Sequence, residues 1–347
     1  MEMTFRDRLK IQQETLIEDG FFDGASGGGL HNYRGKVYPC PHILKEGYEE
    51  KNLYSKIQKK VADYFEGNSI SYWNGKTITG NTLSSQVSCL NHLFLIRDDE
   101  EAVKNVIQAL VGDRMSIETM IKVESKKEVY NPQYIAFEMV SDVDRLNEGK
   151  LTRGGNCTSI DAFVIVRDKN GATQMIVIEW KLEENDSGNK APTWETTNND
   201  KYITSGQTRV DNYENLIKKS KALRDDMKTE SFFNSSLFHL PFYELMRQTL
   251  WAENNKEDFN VDDYLHVTVI PKDNPMRSKK YRCMSNVKGI VDGWRKHLTE
   301  YGKDRYIDAD PEQVVKALAH LDMYSDLVRY LQTRYYSYKI RKQLLIQ

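Results

Sequence analysis

The stretch TSIDAFVIVRDKNGATQMIVIEWKLEE, residues 158–184, constrains the fold more than any other part of the chain. Two runs of β-branched and apolar residues flank a turn, so the segment reads as a pair of strands. Neither run alternates with polar residues, which is the pattern of strands covered on both faces. Yet the first run opens on Asp161 and the second ends in Glu179 and Lys181. Residues i and i+2 of a strand share a face. Glu179 and Lys181 therefore project together, with Trp180 on the other side. An uncompensated carboxylate there would be costly; a lysine offsets part of the cost, and a metal ion would offset more.

The turn decides where Asp161 lies. A two-residue loop at Asn170-Gly171 would set it opposite Trp180, on the wrong side. A three-residue loop, Lys169-Asn170-Gly171 with Gly171 left-handed at a bulge, sets it directly across from Glu179, with Cβ atoms roughly 5 Å apart. Glycine at the third loop position suits the second arrangement, and the chain is expected to use it. Two carboxylates at that separation, with one lysine beside them, form a hard-oxygen cation site whose expected occupant is Mg²⁺, with Mn²⁺ able to substitute. The backbone carbonyl of Trp180 is a further candidate ligand. Such a site serves phosphodiester hydrolysis: the metal polarises a phosphate oxygen and acidifies a bound water, while Lys181 positions that water and stabilises transition-state charge.

The rest of the chain supplies helices and more strands. Helical spacing of apolar residues predicts helices over 1–20, 52–65, 84–95, 98–110, 205–224, 240–251 and 287–301, and along 314–345. TMIKVESKKEVY, QYIAFEMVSD and YLHVTVIP read as strands. GASGGGLHNYRGK (24–36) lacks the spacing of a phosphate-binding loop and reads as a flexible surface segment. Residues 183–202 form a long polar loop of the sort that often has a job. Helices flanking a central set of strands give an α/β (α+β) class around one mixed sheet.

Composition narrows the function classes. The 347 residues are 39% hydrophobic and carry a net charge of −2, enough for a sizeable core. No run of about 18 apolar residues is present, so no membrane partner is expected. The charged start MEMTFRDRLKIQQE lacks the apolar core of a secretion signal, and the four separated cysteines form no CxxC, so a cytoplasmic location with reduced thiols is expected. The seven histidines show no HExxH, which disfavours a zinc hydrolase. Charge is uneven: between Lys272 and Arg305 ten Lys/Arg face four Asp/Glu, and Arg329 to Lys342 holds five basic residues and four tyrosines with no acid. Such stretches suit a phosphate backbone or, more blandly, a solvated helix face.

Asp161 and, eighteen positions on, Glu179-Trp180-Lys181 resemble the D…(D/E)-x-K signature of the PD-(D/E)XK nuclease superfamily. The blocks SSQVSCLNHLF, FEMVSD, CTSIDAFV, IEWKLEE and LFHLPFYELMRQTLWAE are similar to one bacterial restriction-endonuclease-like subfamily. Where the superfamily often has Pro before the Asp, this chain has Ile160. The resemblance implies a restriction-endonuclease-like fold and a Mg²⁺-dependent endonuclease acting on DNA, in a restriction or defence setting. It implies Asp161 and Glu179 as metal ligands and Lys181 as the catalytic lysine. Glu138, a lone carboxylate in the apolar strand YIAFEMV, is the candidate further acid; its competing reading is a partner for an arginine. On the helix after the long loop, Arg209 is a candidate phosphate contact, with Gln207 and Tyr213 beside it. Gln86 and Asn91 are site-lining or plain helix polar positions. Residues 84–271 would form the nuclease core, 1–83 an extension packed on it, and 272–347 a basic helical region of the same unit. RNA as substrate and a homodimeric assembly stay open. A nucleic-acid-binding or interaction protein with this fold but no turnover is the competing class.

Overall fold

The computed structural model describes residues 3–337 apart from 34, 73, 74, 76, 150, 155, 156, 185–199, 229–234 and 285, so most of the long polar loop and the last ten residues lie outside the described residues. The chain opens with α1 (Phe5–Glu18), the hairpin β1 (Gly27–Tyr33) and β2 (Lys36–Leu44), and the helices α2 (Gln58–Gly67), α3 (Ser85–Leu93) and α4 (Glu100–Val111). The strands β3 (Ile117–Ile121), β4 (Ala136–Met139), β5 (Ile160–Asp168) and β6 (Thr173–Trp180) follow. Then come α5 (Asp200–Lys219), α6 (Phe242–Asn254), β7 (Asp263–Val269), α7 (Gly289–His297) and α8 (Glu300–Arg305). β8 (Tyr306–Ala309), α9 (Glu312–Leu318) and α10 (Ser325–Leu331) complete it.

The central hairpin uses the three-residue loop. Arg167 pairs with Thr173 and Ala162 with Ile178, the register that the longer loop requires. Gly171 takes a φ of 85°, which a side chain would resist, and its N–H donates to the Asp168 carbonyl at 2.9 Å. Around this hairpin a six-stranded sheet runs β3-β5-β6-β7-β8, with β4 sharing the outer edge of β5 beside β3. β5 is antiparallel to β3, β4 and β6, whereas β6, β7 and β8 run parallel, so the sheet is mixed.

Apolar side chains leave both faces of the hairpin because both faces are covered. Ala162, Val164, Ile176, Ile178 and Trp180 enter one core with α1–α4, α9 and α10. Phe163, Ile165, Met175 and Val177 enter the other, with α5, α6 and α7. The first core holds residues from Phe5 to Tyr335, so the beginning and end of the described chain pack into one body. The mixed sheet with helices on both faces is the expected fold class.

Some local expectations give way. The glycine-rich segment 24–36 is not a flexible surface loop: most of it is strand β1 and the turn into β2. Strand bonding is satisfied there by backbone alone, which a side-chain pattern does not register. The region after 271, read as helical, contains β8, a four-residue strand at the sheet edge beside β7. The helix expected over 52–65 starts at Gln58, behind a short 3-10 turn at Glu49–Asn52, yet Leu53, Ile57, Val61, Tyr64 and Phe65 are all buried as its spacing requires. The acidic run before α4 does cap it: Asp99 accepts from the Ala102 N–H at 3.1 Å.

A buried ion network anchors β4. Glu128 accepts from Arg97 at 3.1 Å, from Arg153 at 2.8 Å and from the Tyr64 hydroxyl at 2.7 Å. Arg153 also donates through Nε to the Glu138 carbonyl at 3.1 Å and through Nη2 to that of Phe137. Removing one member would leave buried charge uncompensated. Glu128→Ala is expected to cost about 3–5 kcal/mol of stability in urea unfolding; a loss below about 1 kcal/mol, the range of an exposed pair, would refute the anchoring role.

Candidate active site

Register brings three carboxylates abreast. The β5–β6 pairing sets Asp161 across from Glu179, and the pairs Phe137–Ala162 and Met139–Ile160 set Glu138 across from Asp161. The β5–β6 ladder ends at Ala162 and Ile178; beyond it the Trp180 N–H donates to Asp161 Oδ2 at 2.7 Å. Trp180 turns its indole to the opposite face, where Nε1 donates to Ser88 Oγ at 3.1 Å. Glu138 has a φ of 49°, a conformation that strains a non-glycine residue. Arg153 holds its carbonyl, while its carboxylate accepts from Gln86 Nε2 at 2.6 Å and Ser159 Oγ at 2.8 Å. The arginine thus takes the backbone and leaves the carboxylate beside Asp161.

Lys181 Nζ sits 2.6 Å from Glu179 Oε1 and 2.6 Å from Glu244 Oε2. Glu244 comes from α6, as does Gln248, whose amide donates to Glu179 Oε2. The Gln248 carbonyl oxygen lies 3.0 Å from His266 Nε2, and His266 Nδ1 lies 3.0 Å from Thr249 Oγ1. Burial pushes His266 down to about 3, so its ring is neutral at physiological pH. One level further out, Arg247 and Tyr213 both converge on Glu148, which also accepts from the Thr158 N–H at 2.6 Å. That knot ties α5 and α6 to the start of β5. Glu138, Asp161, Glu179, Lys181 and Glu244 line a single open cleft of about 1310 Å³.

The electrostatics follow from crowding. Burial raises the Asp161 carboxyl well above its usual range, and the Glu179 and Glu138 carboxylates push it further; Lys181 and the Trp180 N–H oppose them. Burial also raises Glu179, against the pull of Lys181, and raises Glu138. For Lys181, burial acts downward, but Glu179 and Glu244 outweigh it and hold the ammonium well above its ordinary value. The site therefore keeps a fixed positive charge beside carboxylates that hold their protons unusually tightly.

That donor set suits a hard cation. Asp161 and Glu179 offer oxygen ligands whose mutual repulsion an ion would relieve, and Mg²⁺ is commonly held by one or two carboxylates with waters and substrate phosphate. Among the described residues no three His, Cys, Asp or Glu side chains gather tightly enough to hold an ion by themselves. The pairing of Lys181 with Glu179 occupies one of the oxygens concerned.

The other candidates divide. Gln86 lines the cleft; Asn91 does not act there, since it is buried between Tyr54, Asn52 and Tyr335. Arg209 lines the cleft, 5.6 Å over the Tyr243 ring, with Nη1 buried and unpartnered among the described residues. Tyr213 meets the same ring but spends its hydroxyl on Glu148. Gln207 lies on α5, and its side chain falls outside the described residues. The basic C-terminal stretches are partly structural: Arg277 binds Asp308, Arg305 binds Asp263, and Arg334 is buried against Asn52. Glu244 and Gln248 were not anticipated. Their signal was legible as polar residues at i and i+4 inside the apolar block LPFYELMRQTLWA.

A family model described as Restriction Endonuclease associating with ARP matches residues 17–336. No curated protein and no solved structure matches the chain.

The raised Asp161 carboxyl makes a stability prediction. A carboxyl lifted above its unfolded value costs the fold nothing below the ordinary carboxylate range, and costs progressively more as pH rises towards the folded value. Asp161→Asn is therefore expected to raise Tm at pH 8, with the gain fading to nothing in acid. A pH-independent difference in melting would overturn this electrostatic account.

Proposed function

The chain belongs to the family of restriction endonucleases associating with ARP, and from that premise we propose that it is a Mg²⁺-dependent endonuclease that hydrolyses phosphodiester bonds of DNA. The observation that carries the reading is the meeting of Glu138, Asp161 and Glu179 with the Lys181 ammonium in one open cleft. Asp161 and Glu179 would hold the ion, joined by the Trp180 carbonyl; Mn²⁺, another divalent ion that oxygen ligands suit, would substitute. When bound, the ion supplies Lewis acidity to the phosphate and lowers the pKa of a water.

The chain's own groups do the rest. Lys181 keeps its proton, so it serves as a fixed charge and donor rather than as a base. Among the described residues two of its three N–H bonds go to Glu179 and Glu244, and the third would serve the attacking water or a phosphate oxygen. Gln248 fixes the rotamer of Glu179, and Gln86 with Ser159 fixes that of Glu138. Arg209, which lines the cleft, would contact the phosphate backbone. Glu138 completes the acidic row as a positioning or water-orienting group.

A second reading is a nucleic-acid-binding or interaction protein without turnover. It draws on the Lys181–Glu179 ion pair, which competes with a metal, and on the partner association in the family's description. Plasmid cleavage separates the two. Purified protein is expected to nick or linearise plasmid DNA with Mg²⁺ or Mn²⁺ and to stop in EDTA. Asp161→Ala, Glu179→Ala and Lys181→Ala should each lower the rate by at least about 10²-fold, the scale of losing one transition-state contact. Full cutting by Asp161→Ala, or binding without cleavage in any divalent metal, would sink the nuclease reading.

A further inference from the structure

The hairpin β1–β2 is a separate two-stranded sheet outside the central one. Its root is built in. Leu44 packs with Leu16, Ile17 and Phe22, its N–H donates to the Gly80 carbonyl at 2.9 Å, and Ile43 bridges to Asn81. The strands shift register between Gly27 and Gly29, and Gly28 takes a φ of 96°. A Cβ at Gly27 would stand 2.1 Å from the Pro41 carbonyl oxygen, and one at Gly29 would stand 2.3 Å from that of Leu44. The glycine run is thus a close-packed bulge, the device that re-aims a ribbon. At the far end Tyr33 pairs with Lys36 across a two-residue turn, and the Gly35 N–H donates to Asn32 Oδ1 at 3.1 Å.

Beyond the root the ribbon is exposed. Leu30, His31, Asn32 and residues 35–39 are exposed, with Leu30 at 72% and Val37 at 56%. An isolated two-stranded hairpin is marginal in water, so a built root carrying a bare ribbon points to an occupant. Three observations say which. The ribbon's lower residues, Gly28 to His31, line the same cleft as Asp161 and Glu179. No acidic residue occurs between Gly27 and Lys45, and Lys36 stands in the last pair of the ribbon. The register also sorts the faces: His31, Lys36 and Tyr38 share one, and Leu30, Asn32, Val37 and Pro39 share the other. One face is therefore rich in hydrogen-bonding and cationic groups.

We propose that the β1–β2 ribbon enters the major groove of duplex DNA lying in the carboxylate cleft, with His31, Lys36 and Tyr38 facing the base edges. The proposal rests on the DNA reading of the cleft and adds how the duplex is gripped and read. The sizes agree. Two strands about 4.8 Å apart fit a groove about 12 Å wide, and five paired positions reach roughly 17 Å, beyond the groove's depth of about 8.5 Å.

The test uses the full chain carrying Asp161→Ala, which binds without cutting, and a second form that adds His31→Ala, Lys36→Ala and Tyr38→Ala. All three added changes are exposed, so circular dichroism and Tm should not move. Fluorescence anisotropy with duplex DNA is expected to show binding about tenfold or more weaker in the second form, the scale of losing one good base contact. Replacing guanine by 7-deazaguanine, which removes a major-groove acceptor, should weaken the first form and leave the second unchanged. Equal affinity of the two forms would overturn the ribbon assignment while leaving the nuclease reading intact. So would equal affinity accompanied by loss of a protein partner, which would make the ribbon a protein-docking element. Absence of duplex binding by the first form would overturn both.

Discussion

The structure turns on one electrostatic constraint: acidic side chains from three adjacent strands share a cleft with a single ammonium. Glu138, Asp161 and Glu179 stand in one row across β4, β5 and β6, and each is raised by burial. Like charges so close disfavour joint ionisation. Lys181 answers part of that repulsion and is itself held charged by Glu179 and Glu244. The cluster is a poor choice for stability and a good one for gathering positive charge, such as that of a metal ion. Backbone strain such as that at Glu138 is sustained by the surrounding frame.

The frame is visible on both sides of the row. Behind β4, the Arg97–Glu128–Arg153 network fixes the carbonyls of Phe137 and Glu138, which holds the left-handed backbone of Glu138 in place. Over the opposite face, α6 delivers Glu244 to Lys181 and Gln248 to Glu179, and its next turn is steadied through neutral His266. A polar network with every member partnered specifies one arrangement, whereas a half-satisfied one would not. The helix block LPFYELMRQTLWA therefore does two things at once: its apolar residues fill the core, and its polar ones orient the row.

Much of this was legible in the residues, and the limits are instructive. The unbroken apolar runs of 162–166 and 175–178 announced a hairpin buried on both faces, and Gly171 singled out the longer loop, because only that position needs a positive φ. The glycine run at 27–29 was misread, since a strand whose bonds are all backbone carries no side-chain period to read. β8 was missed because four residues are too short for any period to emerge. Arg209 and Tyr213 share a helix face as their spacing required, yet one reaches the cleft and the other a buried glutamate. Spacing along a helix sets direction, not what waits there.

What the sequence determined alone is local and periodic. Alternation along a strand put Glu179 and Lys181 on one side, and a three-residue loop put Asp161 across from Glu179, because the pleat admits no other parity. What only the tertiary structure decided is the company these groups keep. Glu244 reaches Lys181 across 63 positions of chain, and Gln86 reaches Glu138 across 52. Such pairings depend on how whole helices dock against the sheet, which is set by the summed burial of many apolar side chains. No short window of sequence holds that sum.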